Sequence, residues 1–262
     1  MLFFTVVPLV FMFTASFMTN NQIVRMPYSW IPQPFNPYNY YQALRGNDGS
    51  WIFPRNIFNS LLVASAVALT TVFLASLTGY GLAKFRFKGR NLVFMMIMAT
   101  MMIPFEVIMI PLYMVARGLG IQNSYIGLIL PFLVSAFGIF QMRQYLITFP
   151  GEYLDAARVD GMNEPVIFWK IVFPNCKPAI ATLAIISFRG QWDNLLWPLL
   201  VMQSEKMKTI PLYVAKFAEE KMTNEGAMMA VAAIASIPMF ILFFSLSKYF
   251  ISGSAVYESR KG

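Results

Sequence analysis

Histidine is absent from the chain, and cysteine occurs once, as Cys176. Without an imidazole there is no histidine acid–base catalysis, no His-ligated metal and no His-ligated haem. One cysteine excludes an internal disulfide and a cysteine metal cluster. The sequence also lacks a Gly-x-x-x-x-Gly-Lys-Ser/Thr phosphate loop, so it is not a nucleotidase by that motif. Charge is scarce: Asp, Glu, Lys and Arg make up 12% of residues, against roughly 25% in soluble domains. No basic region precedes the first apolar run and no small-residue cleavage site follows it, which argues against a cleaved signal peptide. No strong long-range repeat is visible.

What is abundant is apolar. Of 262 residues, 58% are hydrophobic, and they gather in runs close to the length of a bilayer span. The runs cover residues 1–18, 59–83, 91–113, 124–142, 179–202 and 228–251. They predict an all-α polytopic membrane protein of about six transmembrane helices, a single transmembrane domain over 1–262. The first run is at the lower end of spanning length and begins abruptly, which suggests a truncated or misassigned start. The second is rich in small residues, among them Ala75, Ser76 and Gly79, and predicts a helix packed closely among others. Pro104 and Pro111 predict kinks in the third run, and Pro131 interrupts the fourth. Residues 19–58 are aromatic and proline-rich. Pro32, Pro34 and Pro37 argue against a helix around 32–37. The Tyr and Trp residues suit either a membrane-interface belt or a surface that another protein touches.

The net charge is +8. Nucleic acid is a poor explanation, because the cations flank apolar runs. Lys84, Arg86, Lys88 and Arg90 fall in one seven-residue turn between two spans, which marks that turn as cytoplasmic. Six spans then place both termini inside.

Between the fourth and fifth runs lies PGEYLDAARVDGMNEPVIFWKIVFPNCKP, residues 150–178. It reads as two short helices with a break. Pro150 suits a first helical turn, and Glu152 and Asp155 put negative charge at that helix's positive end. Gly161 can take the left-handed conformation that ends a helix. Asn163 can cap a second helix that has Glu164 and Pro165 in its first turn, and Pro174 and Pro178 are expected to close it. A plain connection could be far shorter.

The run Asp155-Ala156-Ala157, then Gly161, then Ile171-Val172-Phe173-Pro174, resembles the E-A-A-x-x-x-G…I-x-L-P coupling loop of ABC-importer permease subunits. Asp155 stands where Glu is usual and Phe173 where Leu is usual; a carboxylate and an apolar residue remain. Nearly the whole chain, from the Trp30 region to the sixth run, is similar to the carbohydrate-uptake, maltose-type members. The resemblance implies a permease subunit of a sugar importer working by alternating access in a bacterial or archaeal cell membrane. Its implied partners are a second, different permease, two ATPase subunits that bind the ATP and Mg²⁺, an extracellular solute-binding protein and membrane lipid. No cofactor is implied for this chain. Glu152, Asp155, Ala156, Ala157, Gly161, Ile171, Phe173 and Pro174 would form the ATPase-coupling surface, with Asp155 facing a basic residue of the ATPase. The tail would also be able to reach the ATPases.

Five polar or aromatic residues in apolar runs are candidates for a substrate pathway. Glu106 lies in the third run, either near the outer interface or facing a cavity. Arg189, Trp192, Asp193 and Asn194 lie in the fifth. Arg189 and Asp193 at i, i+4 can pair on one helix face. Alternatively these groups line a path, with hydroxyls on Asp, Asn and Arg and a sugar ring face on Trp192. The family commonly shows W-N-D followed by F-L-W-P where this chain has W-D-N and Leu195-Leu196-Trp197-Pro198, and Arg189 sits where an apolar residue is common. Other readings are an importer permease for glycerol phosphate or a polyol, an ion-coupled secondary transporter, and a membrane-embedded enzyme. The missing histidine and scattered carboxylates count against the last.

Overall fold

The computed structural model describes residues 2–45, 49–220 and 224–258. Among the described residues every regular element is helical. The chain opens with α1 (Leu2–Ala15) and two short helices, α2 (Asn20–Ile23) and α3 (Tyr38–Arg45). The long α4 (Ile52–Lys84) follows, then α5 (Arg90–Thr100) and α6 (Phe105–Gly118). Next come α7 (Tyr125–Ile129), a 3-10 turn at Leu130–Phe132, and α8 (Ala136–Thr148). The loop pair is α9 (Glu152–Val159) and α10 (Glu164–Ile167), which continues through a π-helical stretch, Phe168–Val172, into α11 (Phe173–Asn175). The remainder is α12 (Lys177–Trp192), α13 (Leu196–Val201), α14 (Ile210–Glu220) and α15 (Glu225–Glu258).

Among the described residues, only α4 and the Glu225–Ser247 part of α15 are long and apolar enough to cross a membrane unbroken. Three further candidates are bent pairs: α5 with α6 at 94°, Tyr125–Phe132 with α8 at 44°, and Glu164–Asn175 with α12 at 80°. The predicted third span, 91–113, is thus two helices. Pro104, in extended conformation, caps α6, whereas Pro111 lies inside α6 without ending it. Glu106 is therefore not at the middle of a continuous span. It is exposed in the first turn of α6, where the unpaired N–H groups favour a carboxylate. The predicted fifth span, 179–202, is also interrupted: α12 stops at Trp192 and α13 starts at Leu196. α1 has 14 residues, about 21 Å of helix against a hydrocarbon core of roughly 30 Å. No helix covers 24–37, as the prolines require, and the segment 203–227, between the fifth and sixth predicted runs, contains α14.

By its contacts the chain divides into two compact units, Met1–Leu62 with Trp192–Leu242 and Val63–Gln191 with Phe243–Gly262. In the first, buried amides replace backbone partners. Asn39 Nδ2 donates to the carbonyls of Ser16 (3.0 Å) and Met18 (2.8 Å). Asn59 Nδ2 donates to those of Lys206 and Lys208, both at 2.9 Å. Ser60 Oγ accepts from Ile210 N–H at 2.7 Å, which satisfies an unpaired donor at the start of α14.

In the second unit one core joins the later half of α4 to α8, α9, α10, the π stretch and α12. Tyr80, Met142, Leu146, Leu154, Ile167, Phe168, Val172 and Leu183 are all buried there. Small residues let the helices meet. A Cβ at Gly79 would lie 2.9 Å from both Met142 Cβ and the Arg143 backbone nitrogen, so α4 and α8 touch where the side chain is missing. Gly79→Val should cost about 1–3 kcal/mol by overpacking, read as a lower Tm of the purified protein. An unchanged Tm would contradict this close approach.

Candidate functional site

The residues of 150–178 build a pair of short helices. Glu152 and Asp155 occupy the first turn of α9. Its end is closed by Gly161 at φ +79, with Gly161 N–H donating to Arg158 O and Met162 N–H to Ala157 O, both at 3.0 Å. Asn163 Oδ1 then accepts from Val166 N–H at 3.1 Å, capping α10. Both features follow from residue type: glycine tolerates positive φ, and asparagine satisfies an unpaired helix donor.

The two helices turn Leu154, Ala157, Ile167, Phe168 and Val172 into the core. Ile171 and Phe173 pack against its edge. Glu152, Tyr153, Asp155, Ala156 and Val159 face outward. The pair therefore has one face embedded in its own protein and one free to meet another. Pro174 and Pro178 do not close the second helix as the sequence predicts. Pro174 sits in the first turn of α11 and Pro178 in that of α12, positions where a missing N–H is tolerated. The chain bends instead around Cys176, between α11 and α12.

Three charged side chains and one phenol tie this pair to α4. Glu164 accepts from Arg158 Nε at 2.7 Å and from Tyr80 Oη at 2.7 Å. Arg158 also donates to Asp155 Oδ1 at 2.8 Å. The Arg158 hydrogen bond, aided by Tyr80, outweighs partial burial and holds the Glu164 carboxyl below its usual range. At the other end of the loop, Lys84 Nζ donates to Phe149 O at 2.6 Å. Asp155 remains largely exposed, at 73% for its side chain, although it leans on Arg158. Sequence reading singled out Asp155 and Gly161 but missed Arg158 and Tyr80. The i, i+3 spacing of Asp155 and Arg158 was a signal; nothing in the sequence placed Tyr80 beside Glu164.

The candidate pathway residues fall at two helix breaks. Glu106 is at the first, between α5 and α6. Asp193 and Asn194 are at the second, after Trp192, and Arg189 precedes it on α12. Arg189 is exposed near the end of α12, and Asp193 is exposed in the turn that follows. Trp192 is 4% exposed, and its Nε1 donates to Ala235 O at 3.2 Å. Its ring packs inside the chain and is not offered as a sugar platform. Asn194 Oδ1 accepts from Trp197 N–H at 3.3 Å and so helps start α13.

The family model for "Binding-protein-dependent transport system inner membrane component" matches residues 71–254. The chain belongs to that family. It is a permease subunit of an ABC importer and a multi-pass membrane protein, with ATP hydrolysis in a partner subunit. The permease is 39% identical over 209 residues to the arabinooligosaccharides permease AraQ of Bacillus subtilis, covering 80% of this chain and 74% of that one. It is 34% identical over 255 residues to the lactose permease LacG of Rhizobium radiobacter, covering 96% and 90%. It is also 34% identical over 251 residues to the sn-glycerol-3-phosphate permease UgpE of Brucella abortus, covering 94% and 89%. A solved bacterial ABC transporter involved in alginate import shares the fold, with a TM-score of 0.82 over 94% of this chain and 91% of that one, at 24% identity.

A lowered carboxyl pKa means that the Glu164 contribution is full above the ordinary carboxylate range and is lost as pH falls below it. Glu164→Gln should reduce stability at pH 7 by roughly 1 kcal/mol, since the pair is partly solvated. Tm measured against pH should show variant and wild type converging in acid. A constant gap down to pH 3.5 would contradict the assignment.

Proposed function

We propose that this permease takes part in the uptake of a neutral oligosaccharide by alternating access, driven through the helical pair 150–178. The carrying observation is the two-sided character of that pair. Its inner face is packed into the core and its Glu164 is bonded to Tyr80 of α4, so a push on the outer face is passed to a long span. The outer face presents Glu152, Asp155 and Ala156 together, with Ala157, Gly161, Ile171, Phe173 and Pro174 shaping the support beneath. On this reading the outer face seats in a groove of an ATPase subunit, and Asp155 meets a basic residue there.

The assembly so proposed has a second, different permease, two ATPases that hold ATP and Mg²⁺, and an extracellular solute-binding protein. The chain is embedded in bacterial or archaeal membrane lipid with both termini cytoplasmic, an orientation supported by the cations at 84–90. An oligosaccharide is favoured by the likeness to permeases named for arabinooligosaccharides and lactose. A permease named for sn-glycerol-3-phosphate at similar identity keeps that substrate as the second reading. Arg189, Asp193 and Asn194 would border the solute path, with Trp192 fixing the helix break from behind. Glu106, at the other break, is a further candidate.

In proteoliposomes holding the whole importer, Asp155→Lys should cut ATP-driven uptake at least tenfold while the subunit still reaches the membrane. Normal uptake would sink the coupling role. Asp193→Ala should change the uptake KM without affecting ATPase association; unchanged uptake kinetics would remove Asp193 from the path.

A further inference from the structure

One cleft among the described residues is lined mainly by carboxamides. It has a volume of about 440 Å³ and lies within the first compact unit, where α2, α3 and the approach to α15 meet. Six of the eight described residues that line it are Asn or Gln, and none of those eight carries a charge. In a chain this apolar, such a concentration of carboxamides calls for a chemical reason.

The amides are held in fixed orientations. Asn39 is buried, its Nδ2 committed to the Ser16 and Met18 carbonyls and its Oδ1 accepting from Asn36 Nδ2 at 3.2 Å. Gln42 Oε1 accepts from Asn224 Nδ2 at 2.6 Å. Asn224 Oδ1 in turn accepts from Ala227 N–H at 3.1 Å, and Asn20 Oδ1 from Gly226 N–H at 3.4 Å, both at the start of α15. Gly226 has no Cβ to collide with the Asn39 amide and Met18 carbonyl beside it, so the wall closes tightly. These bonds use one end of Asn36 and one end of Gln42. The other ends, Asn36 Oδ1 and Gln42 Nε2, are a preset acceptor and a preset donor. Tyr38, exposed and stacked on Tyr41 with ring centroids 5.5 Å apart, adds an aromatic flank.

We propose that this cleft is a saccharide-binding site, separate from the break at Arg189–Asn194, that takes a neutral sugar unit. A hydroxyl both donates and accepts, so paired acceptor and donor amides suit it, and an aromatic ring suits the apolar face of a pyranose or furanose. The described lining carries no charge to compensate a phosphate or carboxylate, which favours a neutral solute. The inference rests on the neutral-oligosaccharide reading above. On the orientation proposed there, the cleft opens at the outer face and would hold sugar at the entrance.

The test is photolabelling of the whole importer in nanodiscs, binding protein omitted, with a diazirine-bearing neutral trisaccharide. Labelled peptides are mapped by mass spectrometry. Label on residues 19–42, competed by excess plain trisaccharide but not by glycerol phosphate, is the expected result. Gln42→Leu and Asn36→Leu should each lower that label at least fivefold, with ATPase association retained. Label that avoids 19–42, that resists competition, or that persists in both variants would overturn the site. ATP-driven sugar uptake is measured on the same purified importer reconstituted into proteoliposomes with its binding protein. Uptake without cleft labelling defeats the site and leaves the importer reading standing, whereas absence of uptake of any neutral sugar defeats that reading.

Discussion

The structure turns on a buried-to-exposed transition around one carboxylate. Glu164 bonds a phenol from the core, Tyr80, and a guanidinium at the surface, Arg158. Tyr80 is 3% exposed, so its hydroxyl needs a partner, and Glu164 supplies it. Arg158 then links this anchored residue to Asp155 on the outward face. Around that chain of bonds the apolar residues of α9, α10 and the π stretch insert between α4, α8 and α12. A loop held in this way behaves as part of the helix bundle, which is what transmission of force to a span requires.

A second constraint comes from lipid. Backbone polar groups need partners within the membrane, so helix breaks are tolerated where protein or a wet cavity satisfies the freed groups. Both breaks singled out above carry suitable polar residues. Glu106 stands at the N-terminal turn of α6, and Asn194 accepts from the backbone N–H of Trp197 at the start of α13. The break after Trp192 means that Asp193 and Asn194 need not sit in unbroken hydrocarbon.

Much of this was legible beforehand, for physical reasons. Apolar runs mark spans because lipid demands them. Gly161 and Asn163 announce a helix stop and a helix start because few residues adopt those conformations or make those bonds cheaply. Small residues on α4 signalled close packing, and Gly79 lies at such a contact. What stayed hidden depends on distant contacts or on local choices between equivalent signals. Tyr80 and Glu164 are 84 residues apart and meet through the fold alone. Pro104 and Pro111 looked alike as breakers, yet the chain bends at Pro104, because a proline preceding a helix costs no hydrogen bond. Trp192 looked like a sugar platform, but its indole N–H and its ring are both used inside the chain. The carboxamide cleft draws on residues from both ends of the sequence, and no local pattern foretells it.

The central claim is that this permease works only as one part of an ATP-driven assembly joined through residues 150–178. The most direct measurement is purification of the tagged protein from its native membrane in mild detergent, with mass spectrometry of everything that accompanies it. The account predicts an ATPase, a second permease and a solute-binding protein in the same fraction. Recovery of this chain alone, moving solute in proteoliposomes without ATP, would contradict it.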